Sequence, residues 1–377
     1  MKRLIWTAAF ALLMATKATT VQAEVKVGVI LSSSGSAASL GVPARNVFSI
    51  LPDTLGGEKV TYIILDDASD PTNAAKHAQA LIDQGVDLII GSQIVPATAA
   101  IAQVASAAGV AQIAPSPIPP PLFNNPWVFT VPQSMPLAMR PVVDHMKKTG
   151  LKTVAFIGFA DPLGDLILNS YSKYADSLGI QTSAAERYNR TDTSVSAQVL
   201  KITAARPEAV VIGGTGSPGA LPQIALAARR YQGQVYSNHG IINADFLRVG
   251  GAAVENTIAP TGPVMVAEQL PDSAPTKAAA LTFLKAYEGK FGADSRNAFA
   301  AYYYDSYLIA DSAVKRAKST AKPGTPEFRK ALRDAIASTQ NLSGVHAVYT
   351  MKPGNVNVDD RSIVLVRVKQ GKWELLK

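Results

Sequence analysis

Val25-Lys26-Val27-Gly28-Val29-Ile30-Leu31 opens the ordered part of the sequence as a strand rich in β-branched residues. A Ser/Gly-rich turn, Ser32 to Gly41, leads from it into a helical stretch. Val60 to Leu65 is a second strand. After it, Asp66-Asp67-Ala68-Ser69-Asp70-Pro71 opens a helix that runs to about Gln84, with Asp70 as N-cap, Pro71 as first helical residue and Gly85 as terminator. Asp87 to Gly91 is a third strand, Ala97 to Ala108 a helix and Val110 to Ala114 a fourth strand. This alternation has βαβ spacing, which predicts a parallel sheet with helices on both faces.

The pattern then restarts. Trp127 to Val131 reads as short and extended, Pro136 to Lys148 as a helix closed by Gly150, and Thr153 to Gly158 as a strand. A helix (Leu163 to Leu178), an extended piece (Gln181 to Tyr188), a helix (Val195 to Ala205), a strand (Ala209 to Gly213), a helix (Ala220 to Arg230) and a short strand (Val235-Tyr236) complete a second α/β unit. Thr276 to Lys290, Asn297 to Lys318 and Pro326 to Ser338 read as three successive helices, which do not extend a βαβ series and are expected to return over the first sheet. Two last strands, His346 to Thr350 and Ser362 to Lys369, flank a Pro/Gly/Asn/Asp turn. A chain that crosses between two lobes in this way leaves a cleft between them.

Composition narrows the chemistry. With 377 residues, 47% hydrophobic and 17% charged, the chain has enough apolar material for two or three domains. It has no Cys, which excludes disulfides, thiolate metal sites and Cys nucleophiles. Met1-Lys2-Arg3, the uncharged apolar run Leu4 to Thr16 and Val21-Gln22-Ala23 form a secretory leader, 1–23, expected to be cleaved after Ala23. The apolar run is shorter than the ~20 residues that span a bilayer, so no direct membrane insertion is expected. Loss of Lys2, Arg3 and Lys17 lowers the formal charge from +8 to +5. The basic residues are scattered, with Lys147-Lys148 and Arg229-Arg230 at expected helix C-termini, and no basic run is interleaved with aromatics, so no nucleic-acid partner is expected.

No catalytic constellation stands out. The histidines His77, His145, His239 and His346 have no ligand partner at helical spacing, and HExxH, G-x-S-x-G and Walker A patterns are absent, so no metal, no catalytic residue and no cofactor is assigned. Gly214-Thr215-Gly216-Ser217-Pro218-Gly219 matches G-x-G-x-x-G between a strand and a helix. Pro218 inside the turn and the lack of an acidic residue about 20 positions on argue against a dinucleotide. The acidic turn at Asp66 to Asp70 lacks the Gly and distal Glu of a calcium loop and reads as capping.

The ordered set Val27-Gly28-Val29-Ile30 through Gly35 to Gly41, Leu65 to Pro71, Asp87-Leu88-Ile89-Ile90-Gly91 and Val154-Ala155-Phe156-Ile157-Gly158 resembles the type I periplasmic binding proteins of ABC importers, specifically the leucine/isoleucine/valine-binding group, over essentially the whole chain after the leader. The resemblance implies an α/β fold of two Rossmann-like lobes, a Venus-flytrap joined by three crossover segments, with lobe 1 at 24–132 plus 263–345 and lobe 2 at 133–262 plus 346–377. It implies a periplasmic, monomeric, non-enzymatic protein that closes on a ligand and delivers it to an inner-membrane ABC permease.

The same resemblance implies hydroxyls on two lobe-1 loops for a ligand carboxylate and an acidic lobe-2 residue for an α-ammonium. Here Val95 and Ile118 stand at hydroxyl positions, Leu163 at an aromatic one and His239 at the acidic one. The shift is toward an apolar site without an ammonium partner, so a small apolar carboxylate, aromatic or medium-chain aliphatic, is expected. His239, as donor or cation, with Ser92, Ser116 and the Thr215-Gly216 backbone, would supply polar contacts. Ser39, Leu40, Gln93, Ile94, Val95, Pro117, Ile118, Leu163, Phe299 and Tyr302 complete the expected ligand-binding set. A branched-chain amino acid on the same fold is the alternative; a secreted nucleotide-dependent α/β enzyme and a sensor module for a membrane receptor are more distant ones.

Overall fold

The computed structural model describes residues 24–353, 358 and 360–376; the leader at 1–23 and part of the turn between the last two predicted strands lie outside the described residues. The first sheet contains β1 (Glu24–Leu31), β2 (Thr54–Leu55), β3 (Glu58–Asp66), β4 (Leu88–Gly91), β5 (Ala111–Ala114) and β6 (Val128–Thr130), in the order β2-β3-β1-β4-β5-β6. All its neighbours pair in parallel except β2 with β3. The second sheet holds β7 (Thr153–Phe159), β8 (Gln181–Tyr188), β9 (Ala209–Gly213), β10 (Gln234–Ser237) and β11 (Ile258–Thr261). A separate hairpin of β12 (Leu342–Ser343) and β13 (Val348–Tyr349) precedes β14 (Val364–Lys369) and β15 (Lys372–Leu375), which join the second sheet in the order β15-β14-β11-β10-β9-β7-β8.

Helices α1 (Ala38–Val47), α2 (Pro71–Asp83) and α3 (Val95–Ala107) serve the first sheet, and α4 (Met135–Lys148), α5 (Pro162–Ser177), α6 (Ser196–Ala204), α7 (Leu221–Ala228) and α8 (Ala244–Gly250) the second. The last helices, α9 (Lys277–Phe291), α10 (Ala298–Ala317) and α11 (Pro326–Ala337), share one apolar cluster with β1 and β4, as the sequence leads one to expect of a returning chain. Strand after strand is fully buried on both faces, as in β4, β5 and β9, which is why these segments read as continuous apolar runs. Asp70 caps α2 by accepting from the N–H groups of Thr72 and Asn73, with Pro71 as its first residue.

Three differences from the sequence reading have physical causes. Strand β11 carries Pro260, which argues against a strand, yet it lies between β10 and β14 in the sheet. Helix α8 is short and follows an Asn cap, so its periodicity is too brief to read. The predicted strand His346 to Thr350 shrinks to β13, because the N–H groups of Val345 and His346 donate instead to the buried Asp305 carboxylate at 2.7 and 2.9 Å. The Tyr349 hydroxyl donates to it as well.

The crossings between the sheets are tied together. Gln133, just after β6, donates through Nε2 to the carbonyls of His346 and Ser362, and its Oε1 accepts from the Tyr302 hydroxyl of α10. Where α1 approaches the turn after β1, Gly41 is required: a Cβ there would run into the Ser32 carbonyl. Gly41→Ala is expected to lower the unfolding free energy by ~3 kcal/mol, the upper end for overpacking, because the obstacle is backbone. Urea denaturation checks it; a loss below about 0.5 kcal/mol, the scale of ordinary surface changes, would refute the close approach.

Candidate functional site

Loops at the C-terminal ends of the parallel strands of both sheets converge on one cavity, the place where open α/β sheets bind ligands. From the first sheet side come Gln93, Ile94 and Val95 after β4, Pro117 after β5 and Phe299 in the first turn of α10. From the second come Leu163 in the first turn of α5, Arg190 after β8, Thr215 after β9 and Asn238 to Gly240 after β10. The lobes meet here, and the Ser217 N–H donates to Ser39 Oγ at 3.2 Å. The space left between these residues is narrow, well below the ~300 Å³ at which ligand sites begin.

Arg190 is the strongest polar feature of the cavity. Its Nε donates to Asp161 Oδ2 at 2.6 Å, Nη1 points to Thr215 Oγ1 at 3.4 Å, and the guanidinium lies 4.2 Å over the Phe159 ring. Asp161 is held in turn as the N-cap of α5, where Oδ1 accepts from the N–H groups of Leu163 and Gly164. The arginine is therefore fixed on two sides, while its Nη2 is buried without a partner among the described residues. A buried cationic donor in that state costs about 1–3 kcal/mol or more unless a ligand satisfies it. Two parallel N–H groups on one planar fork match a carboxylate. The sequence analysis missed Arg190, which stands in a polar turn, Tyr188-Asn189-Arg190-Thr191-Asp192, and looks like a surface charge.

His239 is 3% exposed and packs edge-on against Tyr302, with ring centroids 6.2 Å apart. His346 stacks edge-on against the same tyrosine at 4.7 Å. Burial pushes the His239 imidazole down to about 4, and burial, with repulsion from His239 as a smaller cause, pushes His346 down to about 3. His239 is thus neutral near pH 7, which corrects its expected role as a cation. Its Nδ1 is buried without a partner among the described residues.

Several other expected residues are placed differently. Ile118 does not line the cavity but packs with Ala102, Ala114 and Val128, because the proline-rich loop turns it into the first lobe. Ser92 donates to the buried Asp67 carboxylate at 2.8 Å, and Ser116 is engaged with Thr98 and the Pro117 carbonyl. These hydroxyls serve the fold. Tyr302 is fully buried behind His239, with its hydroxyl on Gln133. The side chain of Gln93 is spent on the Ser32 backbone and the Tyr303 hydroxyl. Ser39 and Leu40 reach the loop around Gly216, whose N–H donates to the Gly240 carbonyl. With that amide used and Ser217 N–H on Ser39, two of the donors that a phosphate cradle in the G-x-G-x-x-G loop would need are spent within the fold.

Comparison with known proteins identifies the family to which this fold belongs. A family model described as "Periplasmic binding protein" matches residues 24–372. The chain is 25% identical over 286 residues to the Leu/Ile/Val-binding protein homolog 1 of Brucella suis biovar 1 (strain 1330), covering 74% of this chain and 72% of that protein. It superimposes on an extracellular ligand-binding receptor from Rhodopseudomonas palustris HaA2 with a TM-score of 0.91 and 39% identity, covering 94% of this chain and 100% of that one. A solute-binding protein of an ABC transporter from R. palustris, solved in complex with benzoate, shares the fold with a TM-score of 0.77 at 20% identity over 94% and 95% of the two chains. The chain belongs to the type I periplasmic binding proteins, in the leucine/isoleucine/valine-binding family of ABC importers, and is a solute-binding protein, not an enzyme.

Proposed function

We propose that this protein is the receptor of its importer for a small apolar carboxylate, aromatic in the first instance, rather than for an amino acid. The observation that carries this reading is Arg190, held by Asp161 and Phe159 with Nη2 buried and unpartnered beside the cavity. The Asp161 carboxylate is occupied by that arginine and by the α5 cap, so it is a poor partner for a ligand ammonium. Ile94, Val95, Leu163 and Phe299 give the space between its polar points apolar walls. The benzoate bound by the R. palustris neighbour is a ligand of this class. The names of the Brucella relatives favour the second reading, a branched-chain amino acid.

In this reading the lobes, 24–132 plus 263–345 and 133–262 plus 346–377, hinge at the crossings tied by Gln133 and close on the ligand. The monomer, released by cleavage after Ala23, presents the closed form to the permease. The test is a thermal-shift panel on protein unfolded and refolded to strip ligand. Benzoate, cinnamate and octanoate at about 100 times Kd are expected to stabilise by roughly 2.7 kcal/mol, with no shift for leucine, isoleucine or valine. A shift with leucine and none with the acids overturns the carboxylate reading.

A further inference from the structure

We propose that the cavity has a second polar subsite at its inner end, built on His239, which takes a neutral hydrogen-bonding group, a hydroxyl in the first place, at the end of the ligand remote from its carboxylate. The inference rests on the reading of Arg190 as the carboxylate partner and deepens it. The preferred solute is then a hydroxylated aromatic acid with its two polar groups at opposite ends.

The two polar points face different sides of the cavity. Arg190 lines both the enclosed space and an outer pocket formed with Ser69, Pro71 and Asn189, so it stands toward solvent. His239 stands inward, against Tyr302, which the Gln133 side chain anchors at the crossings. Between them the walls are apolar: Ile94, Val95, Leu163 and Phe299. A flat ring with a carboxylate at one end and nothing at the other would fill those walls and leave the imidazole without a partner.

The inner group has to be neutral. His239 is uncharged near pH 7 because burial disfavours its cation, and at His346 burial, with His239 as a smaller cause, does the same. The nearest buried carboxylate around Tyr302, Asp305, is taken by the Val345 and His346 N–H groups and the Tyr349 hydroxyl. A second carboxylate at the inner end would find no cation, and an ammonium no free anion. A neutral imidazole can donate to or accept from a hydroxyl, so that group satisfies it in either tautomer.

Calorimetric titration of the ligand-stripped protein tests this. The probes are benzoate and 4-hydroxybenzoate, cinnamate and 4-hydroxycinnamate, and benzene-1,4-dicarboxylate. The hydroxylated member of at least one pair is expected to bind about tenfold more tightly than its parent, the equivalent of one satisfied hydrogen bond. The dicarboxylate is expected not to bind. In His239→Phe the preference is expected to fall below about threefold, and His239→Gln, which retains a donor and an acceptor, is expected to recover part of it. Equal binding within both pairs, tight binding of the dicarboxylate, or a preference that survives His239→Phe overturns the inner subsite and leaves the Arg190 reading standing. Failure of every acid to bind overturns the carboxylate reading and this inference with it. The wild-type comparison decides the matter alone if the variants do not fold.

Discussion

Arg190→Ala is expected to weaken binding of an apolar acid such as cinnamate by about 100-fold or more. A hydrogen bond to a charged group contributes about 1.5–3 kcal/mol, and breaking a buried ionic contact by removing one partner costs about 3–5 kcal/mol. The lower figure already exceeds tenfold in affinity. Arg190 and Asp161 are only 15% and 16% exposed, so solvent screens the ligand contact weakly. The substitution also removes the ring contact with Phe159 and the Nε bond to Asp161. Asp161 keeps its two helix-cap donors, so α5 is expected to persist and the variant to fold. Arg190→Lys retains charge but not the planar fork that engages Asp161, Thr215 and a ligand at once, and is expected to lose about tenfold. Calorimetry on the stripped variants checks both figures. Arg190→Ala with wild-type affinity would remove the arginine from the site.

The second large effect is on stability in acid. His239 and His346 are held at about 4 and about 3, below the ~6.5 of an unfolded imidazole. Above pH ~6.5 neither state is protonated, and the stability tied to these groups is fully present. As pH falls below that, the unfolded chain binds protons that the folded chain refuses, and each imidazole withdraws ~1.4 kcal/mol per pH unit until its folded value is reached. The two together amount to ~3 kcal/mol between pH 6.5 and 5. Asp305 acts in the opposite sense: burial raises it to about 7, so the folded state takes up its proton first and gains stability as pH falls below that. Burial also raises Asp67 and Asp87, which work in the same direction as Asp305.

The imidazole contribution is therefore read as a difference. Urea denaturation of the wild type and of His239→Phe/His346→Phe at pH 6.5 and pH 5 is expected to show the wild type losing ~3 kcal/mol relative to the double variant. Parallel pH dependence in the two proteins would mean that these rings titrate normally and are open to water.

Much of the fold was legible because its signals are local. The alternation from Val25 to Ala114 is set by runs buried on both faces, and the Asp70-Pro71 start of α2 by backbone geometry within a few residues. Helices α9 to α11 declared themselves by length and composition, and their unbroken succession implied a return to the first sheet. What failed were segments whose conformation depends on a distant partner. The crossing at Val345-His346 is shaped by Asp305, 40 and 41 positions earlier.

The site divides along the same line. Val95, Leu163 and His239 were reached through the family resemblance, Thr215 through the loop after β9 and Phe299 as an apolar residue of a later helix, and all five line the cavity. The sequence by itself thus determined two α/β lobes, the cleft between them and the apolar bias of its walls. Only the tertiary structure decided which polar atoms are free to meet a ligand. Ser92 and Ser116 are spent on Asp67, Thr98 and Pro117, whereas Arg190, one more charge in a polar turn by sequence, keeps Nη2 unpartnered once Asp161 and Phe159 fix the rest of it. A donor's availability depends on every neighbour that folding brings to it, and those neighbours lie far apart along the chain.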